Sequence, residues 1–395
     1  MDAQPMEPVP APVSPSSRKA LRAGTHRLRP AEETWEWVRP LLPNFGITRV
    51  GEVTWLDDIG IPVFQAIRPN ARTLSVSQGK GISRMLARVS AVMEAIELWH
   101  AEHPTGEVTA RTVADIEKEL CYPLEALSTT PRHALGPDTR LDWYSAIMVD
   151  GQDQSYLPAS LLHMDTCVTG RWTSVSFRAT SNGLASGNSV DEAILHGLYE
   201  VIERDAASRA RRHGTGHPID LSSVDDPSAR MLLDRLESAG VHVVVRFLPS
   251  PFGIPTFDAV ISSPMFPVRF GGAGTHLDAG VALCRALSEA AQSRATAIAG
   301  ARDDIMRAAY REPGFALVDR SSSQHTRESS EGDTTDFACV TSAPLHDLRQ
   351  EVLHVARRVA SVTGFPALYI NHTRPEFGVP VVHVVCPGAL LDIGH

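Results

Sequence analysis

The hydrophobic pattern of the chain changes its period several times between residues 77 and 386. Runs rich in β-branched and aromatic residues, typical of strands, occur at 243–248, 257–262 and 381–386. Other segments have the period of an amphipathic helix: Ile194, Leu198 and Ile202 recur on one stripe of such a segment. Strand-like and helix-like segments in one chain predict a mixed α/β (α+β) fold.

Three units of the chain share one arrangement, in which a segment rich in glycine and small residues precedes an amphipathic helix that carries acids. The segments are 77–81, 181–188 and 271–275. Corresponding acids of the three helices lie 106 and 89 residues apart, which is too far for a solenoid. The repetition predicts related subdomains whose helices converge. We expect the three segments to be loops, because they are rich in glycine and small residues. Such loops are the usual way to bring backbone close to a phosphate.

Each of the three helices carries polar residues on one face. At helical spacing, these residues are Ser90, Glu94 and Glu97 in the first helix, Glu192, His196, Glu200 and Glu203 in the second, and Arg285, Glu289 and Gln292 in the third. A solvated face is the simplest interpretation of any one of them. A shared cleft is the alternative, because no Lys or Arg stands four residues after Glu94 or Glu97. The run 189–192 also matches a capping box, so Glu192 has a third interpretation.

A cleft that holds four or five carboxylates requires a cation, because like charges so close cannot all remain ionised alone. Oxygen ligands select Mg²⁺ or Ca²⁺, and Mg²⁺ is the usual companion of nucleotide phosphates. Lys80, Arg204 and Arg285 would then face phosphate oxygens. The sequence has neither a Walker A motif nor a strand–G-x-G-x-x-G–helix pattern. A bound nucleotide would therefore be held in another way.

Composition narrows the class of protein. Hydrophobic residues make up 43% and charged residues 21% of the 395 residues, as in ordinary globular proteins. The net charge of −9 gives no sign of nucleic-acid binding, and no segment is typical of a signal peptide or a membrane span. The five cysteines are scattered without a C-x-x-C pair, which argues against a disulfide framework and a zinc site. We therefore expect a reducing, cytoplasmic location.

Two stretches have the composition of flexible chain. Residues 1–30 are rich in proline and serine, which predicts a disordered tail. The polar stretch 319–336 contains two serine clusters and predicts a long flexible loop. We expect residues 31–395 to form one domain, with its core motifs between 77 and 300.

Three long motifs, in this order, resemble those of the YcaO family. They are Ser77-Gln78-Gly79-Lys80-Gly81 with Ser90-x-x-x-Glu94-x-x-Glu97, then Asn188-x-x-x-Glu192 leading to Glu200-x-x-Glu203-Arg204, and finally Arg285-x-x-x-Glu289-x-x-Gln292. The resemblance extends from about residue 45 to the C-terminus. It implies a YcaO-type fold for the catalytic domain, built from sheets and packed helices that converge on an ATP and Mg²⁺ cleft.

The resemblance also implies roles for individual residues. By match with the family's motifs, the Mg²⁺ ligands are Glu94, Glu97, Glu200, Glu203 and Glu289. The expected nucleotide contacts, matched in the same way, are Ser90, Asn188, Glu192, Arg204, Arg285 and Gln292. Lys80, Arg204 and Arg285 are the expected catalytic side chains. The family phosphorylates the oxygen of a backbone amide, which turns a poor leaving group into a good one.

Two departures from the family narrow the expected reaction. Cyclodehydratases of the family often end in a proline-rich tail, whereas residues 387–395 have no such pattern, and no fused leader-binding domain is expected before position 45. The segment 45–50, with 60–63 and 68–70, is similar to YcaO proteins that work with a TfuA partner or stand alone. We expect a precursor peptide as substrate, a TfuA-like or leader-binding partner, and a thioamide product. Azoline or amidine formation, a non-catalytic peptide- or partner-binding scaffold, and a homodimer remain open.

Overall fold

A computed structural model describes residues 18–130, 135–165, 176–177, 179–301 and 334–391. Its helices are α1 (Ala31–Val38), α2 (Arg84–Glu102), α3 (Val113–Ile116), α4 (Ala159–Leu162), α5 (Val190–His213), α6 (Pro227–Ser238), α7 (Ala279–Ala299) and α8 (Leu348–Thr363). Its strands are β1 (Ala20–Arg22), β2 (Thr25–Arg27), β3 (Arg49–Glu52), β4 (Val63–Ile67), β5 (Val76–Lys80), β6 (Val108–Thr112), β7 (Arg140–Met148), β8 (Gln154–Pro158), β9 (Leu184–Ser186), β10 (His217–Pro218), β11 (His242–Phe247), β12 (Thr256–Ser263), β13 (Phe266–Thr275), β14 (Leu368–Asn371) and β15 (Val381–Val385). The three strand-like runs of the sequence are β11, β12 and β15, as predicted.

Within the described ranges the strands form four sheets, and their pairings are antiparallel. The orders are β1-β2, β3-β4-β5, β10-β11-β12-β13, and β6-β7-β14-β15-β9 with β8 beside β7. Helices cover the sheets, so the predicted α/β fold is confirmed in its α+β form. None of the helices in these ranges is both long and apolar enough to cross a bilayer.

The three longest helices each pack on a sheet of their own. Helix α2 lies on β4 and β5, α5 on β9 and β15, and α7 on β12 and β13. Their apolar faces belong to separate hydrophobic clusters, which α6 and α8 extend around α7 and α5. The arrangement agrees with three related units. Because each helix buries its apolar stripe against its own sheet, its polar stripe is left to face the other units.

Two of the three glycine-rich segments are strands, so the prediction of three loops is wrong. Residues 77–81 belong largely to β5 and residues 271–275 to β13. A Cβ on Gly79 would lie 2.0 Å from the backbone nitrogen of Ala91, and one on Gly272 would lie 2.3 Å from that of Ala290. The glycines are needed there because helix backbone lies directly against strand backbone. Their role is close helix–strand packing and not the binding of phosphate.

The end predicted for the disordered N-terminal tail, at residue 30, is also wrong. Strands β1 and β2 form a hairpin within residues 18–30, with Gly24 at φ +67° in its turn. Lys19, at the base of the hairpin, is buried against Glu351 of α8. A contact across more than 300 residues has no local sequence signal, which is why the composition misled. Residues 1–17, and the predicted loop 319–336 except for its last three residues, lie outside the described ranges.

Candidate active site

A cavity of about 560 Å³ lies where α2, α5 and α7 converge. Every site residue predicted from the sequence lines it: Lys80, Ser90, Glu94, Glu97, Asn188, Glu192, Glu200, Glu203, Arg204, Arg285, Glu289 and Gln292. The polar stripes of the three helices therefore face one another and are not separate solvated faces. Glu192 and Glu203 are 3% and 5% exposed, which a solvated face would not produce.

Helix α2 supplies two carboxylates that are tied to neighbouring strands. Glu94 accepts a hydrogen bond from the backbone nitrogen of Gln78 in β5, at 3.1 Å. Glu97 accepts two from Ser186 in β9, at 2.8 Å from its backbone nitrogen and 2.6 Å from its hydroxyl. Burial, together with the charges of Glu94 and Glu200, raises the pKa of Glu97 to about 8. Glu97 thus connects two units, and its charged form is unfavourable in the absence of a cation.

Helix α5 supplies two further carboxylates on its cavity face. Burial raises the pKa of Glu200 to about 7, although Arg204 lies 3.8 Å away and opposes the shift. Burial and the charge of Glu289 raise the pKa of Glu203 as well. The Oε2 atom of Glu203 is buried and has no hydrogen-bond partner. A buried carboxylate oxygen without a partner is the kind of atom that a bound cation satisfies.

Each of the three units brings one cation into the cavity: Lys80, Arg204 and Arg285. Lys80, at the end of β5, lies 2.5 Å from Glu289 of α7. Burial alone would raise the pKa of Glu289, but Lys80, Arg204 and Arg285 together hold it below its usual value. Three cations therefore meet the carboxylates at this end of the cavity, where they can balance the charge of a bound polyanion.

The predicted cap of α5 is present, but the carboxylate of Glu192 has other partners. Ser189 accepts the backbone N–H of Glu192 at 3.1 Å, as a capping residue does. The Glu192 carboxylate accepts from Asn188 Nδ2 and from the backbone nitrogen of Leu28, both at 2.9 Å. Glu192 and Asn188 therefore orient each other at the cavity wall.

Residues of the N-terminal segment complete the cavity, and sequence reasoning missed them. Lys19, His26, Arg27 and Thr34 line it. The Arg27 guanidinium contacts His196 and lies 3.5 Å from Glu192, and the Thr34 hydroxyl donates to Asn188 at 2.7 Å. The available signal was the His26-Arg27 pair ahead of a helix, which the proline-rich surroundings obscured.

The residues present fit Mg²⁺ bound together with a polyphosphate. In the described part of the chain, no group of three Asp, Glu, His or Cys side chains is arranged to hold a metal ion unaided. Mg²⁺ beside phosphates uses only one or two carboxylates and completes its shell with phosphate oxygens and water. The unpartnered oxygen of Glu203 and the raised pKa of Glu97 and Glu200 agree with such a site. A cation there would favour the charged forms of these carboxylates.

The fold and the cavity define an α+β protein with an acidic cleft built from three helices of similar arrangement. The family model described as YcaO cyclodehydratase, ATP- and Mg²⁺-binding, matches residues 78–390. The chain therefore belongs to the YcaO family of ATP-dependent peptide-modifying enzymes, as the motifs predicted. ATP and Mg²⁺, the expected cofactors, are those of the family.

Relatives and solved structures agree with this assignment. An uncharacterized protein of Mycobacterium tuberculosis is 37% identical over 373 residues, which cover 94% of this chain and 84% of the relative. An uncharacterized protein in the tfuA 3′ region of Rhizobium leguminosarum bv. trifolii is 35% identical over 382 residues, 91% of this chain and 88% of the relative.

Two solved structures share the fold. YcaO from Methanopyrus kandleri, bound with AMPPCP and Mg²⁺, has a TM-score of 0.72 at 23% identity, over 95% of this chain and 96% of that one. A heterocyclase in complex with substrate and cofactor has a TM-score of 0.76 at 21% identity. That match covers 98% of this chain but only 55% of the heterocyclase.

Proposed function

We propose that this chain uses ATP and Mg²⁺ to phosphorylate a backbone amide of a ribosomally made precursor peptide, and that the product is a thioamide formed with a TfuA-type partner. The cavity carries the first part of the proposal, because six glutamates from three helices line it together with Lys80, Arg204 and Arg285. The relative in a tfuA region supports the second part. The thiols in the described residues are free, in keeping with a cytoplasmic location.

Different side chains of the cavity bind the metal and the nucleotide in this proposal. In this proposal the bound Mg²⁺ ions share the ligands Glu94, Glu97, Glu200, Glu203 and Glu289, and each ion uses one or two of them. Ser90, Asn188, Glu192, Arg204, Arg285 and Gln292 contact the nucleotide. When bound, Mg²⁺ neutralises phosphate charge and makes the γ-phosphorus a better electrophile. Lys80, Arg204 and Arg285 stabilise the charge that spreads over the transferred phosphoryl group.

The reaction balances with sulfide as the external nucleophile. Sulfide adds to the amide carbon, and the amide oxygen takes the γ-phosphoryl group while ADP leaves. The phosphorylated oxygen then departs as phosphate with loss of the proton on sulfur, and a C=S bond remains. The amide oxygen ends in phosphate, and the sum is amide plus sulfide plus ATP giving thioamide, ADP and phosphate. The cavity residues supply positioning and charge, which are the main needs of phosphoryl transfer.

Azoline formation is the second candidate, because the family model is described as a cyclodehydratase and a heterocyclase shares the fold. In that case a side chain of the peptide is the nucleophile and one water is lost. Mass spectrometry of the precursor peptide after incubation with this protein, partner, ATP, Mg²⁺ and sulfide distinguishes the two. Replacement of oxygen by sulfur supports the thioamide, and loss of water supports the azoline. An unchanged peptide with no ATP consumed refutes both in favour of a non-catalytic scaffold.

A further inference from the structure

The cavity has an apolar arm to which the proposed metal and nucleotide contacts do not belong. The arm is lined by Thr73, Leu74, Leu98, Met164 and Leu184. Its four apolar side chains are part of the hydrophobic cluster around α2, in which Leu98 and Leu184 are buried and the other two are half-buried. The backbone nitrogen of Met164 donates to the carbonyl oxygen of Ala101 at 3.1 Å. The arm therefore lies beside the C-terminal end of α2.

The metal ligands of α2 lie between its nucleotide contact and this arm. Along the helix the order is Ser90, then Glu94 and Glu97, then Leu98. At 1.5 Å per residue, Ser90 and Leu98 are about 12 Å apart along the helix axis. A nucleotide that approaches the metal from the side of Ser90 therefore ends at the entrance of the arm.

A buried ion pair fixes the loop that carries Leu74. Arg68 and Glu102 are 3% and 1% exposed, and their side chains pair with each other. The Glu102 carboxylate also accepts from the backbone nitrogen of Thr73 at 3.1 Å and from its hydroxyl at 2.6 Å. Arg68 Nε donates to the carbonyl oxygen of Phe45 at 3.1 Å. Leu74 directly follows Thr73, so this anchor sets its position in the cavity wall.

The chemistry of the arm favours an uncharged, apolar occupant. The N–H and the hydroxyl of Thr73 are already bound to Glu102, whose charge Arg68 balances. A charged group placed among Leu74, Leu98 and Met164 would lose its hydration, and these side chains cannot replace it. An aliphatic or aromatic group would instead remove apolar surface from water.

We infer that this arm is a subsite for the precursor peptide and that it selects an apolar side chain next to the modified amide. The inference rests on the proposed function, in which the amide oxygen receives the γ-phosphoryl group beside the metal. Ala101, at the arm, is one helical turn, about 5 Å, beyond Glu97. Because consecutive Cα atoms of a peptide are about 3.8 Å apart, the side chain of a flanking residue reaches the arm when the amide lies at the metal.

Precursor peptides that differ in one residue test this selection. The residue before and the residue after the modified amide are changed in turn to leucine and to lysine. The measurement is kcat/KM for modification by the intact protein with its partner, ATP, Mg²⁺ and sulfide. At one of the two positions we expect the parent to favour leucine over lysine by about tenfold or more. Leu74→Asp should lower this preference by about tenfold or more, because its carboxylate attracts lysine and disfavours leucine.

Leu56→Asp is the matched control, because Leu56 is 55% exposed on the surface. It should leave the preference for leucine as it is in the parent. The affinity of Leu74→Asp for AMPPCP with Mg²⁺, measured by calorimetry, should stay within about twofold of the parent, since the arm does not hold the nucleotide. Should Leu74→Asp not fold, Met164→Glu replaces it, and the same loss of preference is expected.

Three results overturn the inference. Equal rates for the leucine and lysine peptides in the parent, or a parental preference in Leu74→Asp or Met164→Glu, remove the subsite and leave the proposed function intact, because peptide is still modified. A loss of AMPPCP affinity as large as the loss of peptide preference assigns the arm to the nucleotide instead. A parent protein that neither modifies peptide nor consumes ATP removes the proposed function, and the inference falls with it.

Discussion

The substitution Glu97→Gln distinguishes a metal-binding cleft from an inert acidic surface, because it removes the charge of the side chain and changes little else. The Oε1 atom of Glu97 accepts both hydrogen bonds from Ser186, and the amide oxygen of glutamine can accept the same two. Burial, with the charges of Glu94 and Glu200, raises the pKa of Glu97 from 4.5 to about 8. Glu97→Gln therefore relieves a charge that the cation-free fold tolerates poorly.

The size of the effect follows from the pKa shift. A carboxyl group whose pKa is higher in the folded than in the unfolded state does not lower stability at pH values below its unfolded pKa. As pH rises from the unfolded pKa toward the folded pKa, the group lowers the free energy of unfolding. At 1.36 kcal/mol per unit, the shift from 4.5 to about 8 costs about 5 kcal/mol above pH 8 and about 3 kcal/mol at pH 7. Without Mg²⁺, Glu97→Gln should be more stable than the parent by about 3 kcal/mol at pH 7. The difference should vanish near pH 4.5.

Activity should change in the opposite direction. With Mg²⁺ present, loss of a metal ligand is expected to lower turnover by about 10²-fold or more. Urea unfolding at several pH values, with and without Mg²⁺, and ATP consumption measure the two effects. Glu237→Gln on α6, an exposed position, is the matched control and should change neither. If Glu97→Gln keeps parental activity and a stability within about 0.5 kcal/mol of the parent at every pH, the metal-cleft assignment is wrong.

Acid should weaken the fold through three buried neutral histidines: His100, His372 and His383. Burial lowers their pKa from 6.5 to about 4, 3 and 4, so the stability that they contribute is lost as pH falls below 6.5, against the opposite contribution of Glu97 and Glu200. Between pH 7 and pH 5 the urea midpoint of His372→Leu should therefore shift less in the destabilising direction than that of the parent, and an equal shift would refute this. Gly79→Ala should destabilise the fold by about 3 kcal/mol or more, because its Cβ meets the Ala91 nitrogen. Gly300→Ala, which meets no atom within 4 Å, should cost only about 1 kcal/mol for its positive φ; similar urea midpoints for the two variants contradict the packing explanation. The isolated protein should modify its precursor peptide slowly, and a leader-binding partner should raise the rate by positioning; equal rates with and without it contradict this.

Periodicity alone predicted which side chains face the cavity, because a helix places residues three and four apart on one stripe whatever surrounds it. Glu200, Glu203 and Glu289 were placed in this way, and the three units together made a common cleft the alternative to solvated faces. The motifs then supplied the nucleotide and the metal, which periodicity does not identify. The prediction held where the information was local to one helix.

Information that depended on distant contacts was missed. A glycine-rich run does not reveal whether its glycines bind phosphate or allow a helix to pack closely. At Gly79 the backbone of Ala91 decides this, because it lies directly against the glycine. The composition of residues 1–30 predicted disorder, yet Lys19 is fixed by Glu351, 332 residues further along the chain. None of these pairings leaves a pattern in the sequence.

Transfer of the amide oxygen to phosphate is the step that the proposed function requires of every product, thioamide or azoline. A precursor peptide labelled with ¹⁸O in its backbone carbonyl groups, incubated with the protein, its partner, ATP, Mg²⁺ and sulfide, tests this step directly. The account predicts that ¹⁸O appears in inorganic phosphate in proportion to modified peptide. Modified peptide accompanied by unlabelled phosphate would contradict it.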